Sequence, residues 1–391
     1  MDFTVFSKSR RDSIIRICIY PLSFFISLYI LILPANAADN FADMLVYRGG
    51  GNAAIPEVKT RQNGAFSAES TASNVGASLH YIRLAQNPNP LSNEKVLCTR
   101  DSSSDVNCQV WDGTTWGNLV EVTTNDGGSQ GFDVAYENQS RRAMVCFRGG
   151  VGNTPSCRIW NGSAWGSVFS ANNNGGAITT IKLIPEKDTN YIALVTKDSG
   201  NDVNVQIWNG STFSAVTEVD ADGGSCSACL SFDGAWERNQ QDFVFTWFND
   251  GTDRLYAREY DKSGGWGALI NNVITGLSTS DNVHVRTVAN NFPGSNDILT
   301  AIADDDNTLT ANYWNGSSWG SALELNANIG TVESTNHLFD IAYEQNSDND
   351  AVISYGKSNT GLRFRVWDIG TLVWGANKIY LMQLKVKTGI F

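Results

Sequence analysis

Arg83, Asp133, Lys182, Asp233, Arg286 and Asp340 recur roughly fifty residues apart and alternate in sign along the chain. Each sits among mostly apolar neighbours, as in "IRL", "FDV", "IKL" and "FDI". Carboxylates gathered in such surroundings could titrate near neutrality and work as general acids or bases. Cations interleaved with them hold them ionised instead. The alternation of sign therefore favours a ring of ion pairs with a structural role over a catalytic carboxylate cluster. A second column lies about one strand further on: Arg48, Arg100, Arg148, Lys197 and Lys357, with Asn249 and Asp304 in the remaining places. Five bases around one rim of an acidic protein could take the carboxylates or sulfates of a glycan. Pairing with Asp101 and Asp198, next in sequence to two of these bases, is the competing outcome.

Cysteines come next. "CTRDSSSDVNC" and "CFRGGVGNTPSC" place Cys98/Cys108 and Cys146/Cys157 at matching points of two similar segments, and a third, "VTKDSGNDVNV", has Val195 and Val205 there. Cysteine pairs exchanging with valine pairs is what directly opposed cross-strand positions permit, since either fills the gap between facing Cβ atoms. Two hairpin disulfides are expected, each worth about 2–3 kcal/mol through loop-closure entropy. Cys226 and Cys229 form a C-x-x-C with neither a second pair nor a nearby histidine. That favours a small Cys226–Cys229 disulfide pinning a loop over a redox motif or half a zinc site.

Other chemistry is sparse. His80, His284 and His337 stand far apart, and the chain has no nucleophile elbow, P-loop or dinucleotide fingerprint. "DADGG" (Asp220, Asp222) and "DDDN" (Asp304 to Asn307) are weak calcium candidates, because neither completes a twelve-residue loop ending in Glu. No cofactor is otherwise implied. "NGS" at Asn161, Asn209 and Asn315 matches a glycosylation acceptor, but a tight turn calls for Asn-Gly there anyway. A formal charge of −12 argues against a nucleic-acid partner.

The elements that must carry these residues are written in a repeat. The first aromatic of "CQVWDGTTWG", "CRIWNGSAWG", "VQIWNGSTFS", "EYDKSGGWG", "NYWNGSSWG" and "VWDIGTLVWG" falls at Trp111, Trp160, Trp208, Tyr260, Trp314 and Trp367, at intervals of 48 to 54 residues. That is the period of a propeller blade. Each copy divides into four short β-rich runs, in the second copy "FDVAYE", "RAMVCF", "CRIW" and "WGSVF". Four antiparallel strands per unit around a ring leave only short, protected edges. The chain is therefore expected to be all-β, a β-propeller of four-stranded antiparallel blades. "LVYRGGGNAAIPEVKTRQNGAFS" resembles the last three strands of a further blade, for which "LKV" (Leu384, Lys385, Val386) at the C-terminus would supply the missing strand. That gives seven blades; a six-bladed ring with an N-terminal extension is the alternative.

Residues 1–37 combine a basic start, an apolar run and "ANA", the pattern of a secretory signal peptide cleaved after Ala37. The expected organisation is a signal peptide over 1–37 and one propeller domain over 38–391. Such a chain would be secreted, periplasmic or at the cell surface, with no membrane contact after cleavage.

The W-[DN]-G-x-x-W hairpins resemble those of secreted microbial β-propellers related to sialidase-like propellers and propeller lectins. The sialidase Asp-box spaces Asp and Trp five apart after a leading Ser; "WNGSAW" has a spacing of four and no such Ser. The resemblance implies a non-catalytic propeller that binds a glycan or a cell-surface protein through its loop-rich face. A sialidase-like glycosidase or lyase with one site over the channel, and a structural module of a surface assembly, are the alternatives. Asn249 and Asp304, where other copies carry bases, keep the enzymatic alternative open.

Overall fold

The computed structural model describes residues 43–379, apart from 63–64, 127–129, 151, 222, 224–229, 279–281, 331–337, 345–348 and 358–360. These residues form seven antiparallel sheets arranged in a ring, a seven-bladed β-propeller without helices. Blades 1 to 7 span 43–71, 79–123, 132–170, 178–220, 232–275, 284–326 and 339–379.

Blade 3 illustrates the plan. Phe132–Tyr136, Ala143–Arg148, Pro155–Trp160 and Phe169–Ser170 follow one another outward as a meander. Blade 1 begins at Asp43–Tyr47, which corresponds to a second strand elsewhere, and among the described residues no strand lies inside it. Residues 384–386, proposed from the sequence to fill that place, lie outside the described residues, as do residues 1–37 and both cysteines of the C-x-x-C.

The repeated hairpin owes its shape to a side chain as much as to glycine. In blade 3 the Asn161 carboxamide oxygen accepts the amides of Ser163 and Ala164, both at 2.9 Å. Gly162 takes φ 94°, while Asn161 stays out of the left-handed region. The turn is thus a four-residue loop closed by an Asx cap, not a two-residue turn with both central residues left-handed. Asn209, Asn315 and Asp112 repeat the cap. The flanking aromatics meet across it, with Trp160 and Trp165 5.7 Å apart and Trp314 and Trp319 5.4 Å apart.

The core is a set of layers between blades. Val96, Val106 and Val110 of blade 2 pack on Phe132, Val134 and Val145 of blade 3. Ala193, Val195 and Val205 of blade 4 pack on Phe232, Phe243 and Phe245 of blade 5. Cys98 faces Cys108 and Cys146 faces Cys157 in the ladders, with both pairs bonded, while Val195 faces Val205 at the equivalent point of blade 4. Each pair is buried in an interblade layer, so disulfide and valine pair fill the same space.

Candidate functional site

The alternating charges converge on the central channel. Each sits at one register of its first strand, opposite Cys98, Cys146, Val195, Thr246, Ala301 and Ser354 respectively. Arg83 Nε lies 3.7 Å from Asp133 Oδ1, and Lys182 Nζ lies 2.6 Å from Asp233 Oδ1. Arg286 spans Asp233 at 3.8 Å and Asp340 at 2.9 Å. Asp133 and Asp233 also accept backbone amides from the next blade, Leu183 N at 2.8 Å and Thr287 N at 3.0 Å. Burial pushes Asp133 up, against the pull of Arg83 and Lys182. The ring stitches neighbouring blades together, and each of its carboxylates faces a cation.

The basic rim fares differently. Two positions beyond the ring residue's partner, the second strands carry Arg100, Arg148, Lys197, Phe248, Ala303 and Gly356. Asn249, Asp304 and Lys357 are one residue past that register, and a slip of one turns a strand residue to the opposite face. Lys197 is in register but wholly buried, so it offers no cation to solvent. Arg100 pairs with Asp126 at 2.9 Å instead of with Asp101, whose Oδ1 caps the turn amides of Ser103 and Asp105. Asp198 caps Gly200 and Asp202 in the same way. Arg148 is half-buried and faces the same Asp126, whose carboxyl burial raises to about 6 against both arginines. Arg48 is exposed and donates to Leu79 O at 3.1 Å. The five bases do not make a rim.

The loop carboxylates proposed for calcium are also engaged. Asp304 accepts from Thr308 and Ser278, and Asp220 from Trp247 and Asn249. Asp222 and His337 lie outside the described residues; His284 is buried and His80 exposed.

A different column stands out in the third strands. Two residues before the first hairpin aromatic come Gln109, Arg158, Gln206, Arg258, Asn312 and Arg365, amide and arginine by turns. All six share one register, opposite Leu97, Val145, Leu194, Phe245, Thr300 and Ile353. The amides reach back to the chain entering from the preceding blade. Gln109 bonds Ser73 N and O, Gln206 bonds Asn172 N and O, and Asn312 donates to Val273 O. They lock the outer groove of their blade.

The arginines occupy the same register in blades 3, 5 and 7, and among the described residues their hydrogen bonds stay within their own blade. Arg158 Nε donates to Gly166 O at 2.6 Å, and Arg258 donates to Gly267 O through Nε and Nη2. Arg365 Nε donates to Asn377 Oδ1 at 2.7 Å. In blade 5 the anchor sets the guanidinium beside the second hairpin tryptophan, with Arg258 Cζ 5.6 Å from the Trp266 ring centre. Trp165 in turn donates to Asn118 O of blade 2, which ties its indole to the groove wall. All three arginines, with Trp165 and Trp266, are half-buried, whereas Trp374 is buried. A planar fork next to an aromatic face, open on one side, can take paired hydroxyls or a carboxylate on the fork and an apolar ring face on the indole. The sequence signal was present in "RIW", "REY" and "RVW" alternating with "QVW", "QIW" and "NYW".

No protein-family model matches the chain, and no curated protein matches it in sequence. Among solved structures it is similar to the BP39L lectin from Burkholderia pseudomallei, with a TM-score of 0.62 at 10% identity over 87% of this chain and 95% of that one. The fucose-specific lectin from Aleuria aurantia gives a TM-score of 0.45 at 12% identity, over 76% of this chain and 94% of that one. AofleA from Arthrobotrys oligospora gives 0.43 at 12% identity, over 74% and 84%. At these identities the likeness is one of fold.

Proposed function

We propose that the chain is a non-catalytic glycan-binding propeller with three outer-groove sites, built on Arg158, Arg258 and Arg365. The observation that carries this reading is their register: arginine occupies one third-strand position in alternate blades, and in blade 5 it lies beside a hairpin tryptophan. Sites of this kind are shallow and individually weak, and repetition around a ring lets one multivalent glycan surface engage several at once. The BP39L lectin, of like fold, supports a carbohydrate over a protein ligand. The carboxylates of the channel weigh against a hydrolase centred there, because each is engaged by a cation of a neighbouring blade.

The test is glycan-array binding by residues 38–391, with fluorogenic glycosides assayed in parallel. The wild type should bind without turnover, each single Arg→Ala variant should weaken binding, and the triple variant should lose about 100-fold or more of the apparent affinity. Wild-type binding by the triple variant would overturn the reading. So would turnover abolished by one carboxylate substitution, which would favour the glycosidase.

A further inference from the structure

One carboxylate cluster lies apart from the arginine grooves. Glu237 follows the first strand of blade 5 (Phe232–Trp236), Asp242 precedes its second (Phe243–Asn249), and Glu259 lies in its third (Arg254–Asp261). One carboxylate oxygen from each comes within 4.8 Å of the other two.

Other blades show what this position ordinarily does. A glutamate between the first and second strands, buried Glu137 after the first or half-buried Glu94 before the second, accepts the indole N–H of the next blade: Trp208 to Glu137 at 2.6 Å, Trp160 to Glu94 at 3.1 Å. The glutamates are then fully satisfied. Glu137 takes Arg142 at 2.7 Å, and Glu94 takes Asn87 and Tyr136. Glu186, where the next blade offers Tyr260 in place of tryptophan, takes Lys262 at 2.6 Å and Thr189. Glu237 keeps only the indole contact, Trp314 Nε1 to Oε1 at 2.5 Å. Five residues after Glu137 comes Arg142; five after Glu237 comes Asp242.

An acid thus replaces the cation that compensates the same carboxylate two blades earlier. Glu237 is 1% exposed and its Oε2 has no hydrogen-bond partner among the described residues. Burial first, then Glu259, Asp242 and Asp297, raises its proton affinity, while the Trp314 bond opposes them. Lys262 acts on Asp242 but holds its ammonium on Glu186 and Gln241. Asp297 of blade 6 adds negative charge, and its own oxygens receive Tyr313 and Ser295. A buried carboxylate oxygen without a donor, ringed by acids, lacks a positive partner.

We propose that Glu237, Asp242 and Glu259 bind a divalent cation of the calcium or magnesium class. Three oxygen donors without sulfur or imidazole select a hard ion. Asp242 and Glu259 are half-buried, which leaves an open side where such an ion keeps water ligands. Because Glu237 also holds Trp314, the ion braces blade 5 against blade 6.

The indole beside the site supplies the assay. Residues 38–391, stripped with EDTA, are titrated with terbium under tryptophan excitation, with calcium or magnesium as competitor. Sensitised emission should saturate, be displaced by competitor, and weaken by ~10-fold or more in apparent affinity for Asp242→Asn. Calcium should raise the melting temperature of the wild type at ~100-fold excess over its dissociation constant. Asp242→Arg, which copies Arg142, should melt in EDTA at least as high as the wild type and ignore calcium. Equal terbium emission from wild type and D242N, or melting indifferent to calcium in the wild type, would overturn the proposal and leave Glu237 holding a proton.

Discussion

At Glu237 a carboxyl withdrawn from water, and only half bonded, is pushed up to about 8 from 4.5, chiefly by burial. The unfolded chain releases this proton near the lower value and the folded chain near the higher. Between them the folded state binds more protons, so stability falls as pH rises through that window and is greatest below it. In EDTA, denaturant midpoints measured from about pH 5 to about pH 9 should therefore decline, and Glu237→Gln should flatten the slope. The arginine grooves are also decided residue by residue. Gln206 spends its amide on the incoming chain, whereas Arg258 at the same register donates to Gly267 O of its own blade. Both differences were legible as letters, but neither could be valued without knowing what lay opposite.

The hairpin is the element on which the blades are built, and its cross-strand pairs set what can be exchanged. Cys98–Cys108 and Val195–Val205 fill equivalent interblade positions, so blade 4 serves as a natural control for blade 2. The double variant Cys98→Val/Cys108→Val should keep the fold and lose about 2–3 kcal/mol, read from urea unfolding. Cys98→Val alone should lose more than a matched disulfide by leaving a thiol against a valine in a packed layer. This element was readable in the sequence because Asn-Gly, paired aromatics and opposed cysteines act over a dozen residues or fewer. The second-strand column is less regular than the first, because Asn249 and Asp304 fall one residue past the register of Arg100 and Arg148, and one residue of slip reverses a side chain's face.

Across the whole molecule, Asp233 ties three blades together. It belongs to blade 5, pairs with Lys182 of blade 4 and Arg286 of blade 6, and accepts Thr287 N from the latter. Asp233→Ala leaves Lys182 desolvated beside Arg286 and should cost about 3–5 kcal/mol, measured as the shift in denaturant unfolding. The loss should appear as one cooperative transition if the ring unfolds as a unit. Adding Lys182→Met should recover part of it, since the stranded cation is then gone.

The sequence alone determined the blade: its period, four runs, hairpin and cross-strand cysteine partners all follow from short-range rules of turn and strand, while the Asx cap that closes the hairpin came from the structure. It also determined the sign alternation that becomes the channel ring. Only the tertiary structure decided which bases reach solvent, that Lys197 is buried, and that Arg158, Arg258 and Arg365 line grooves which glutamine or asparagine closes elsewhere. It likewise decided that Glu237 lacks the cation Glu137 enjoys. The physical reason is that burial and charge compensation depend on neighbouring blades some fifty residues away, whereas strand and turn depend on neighbours along the chain.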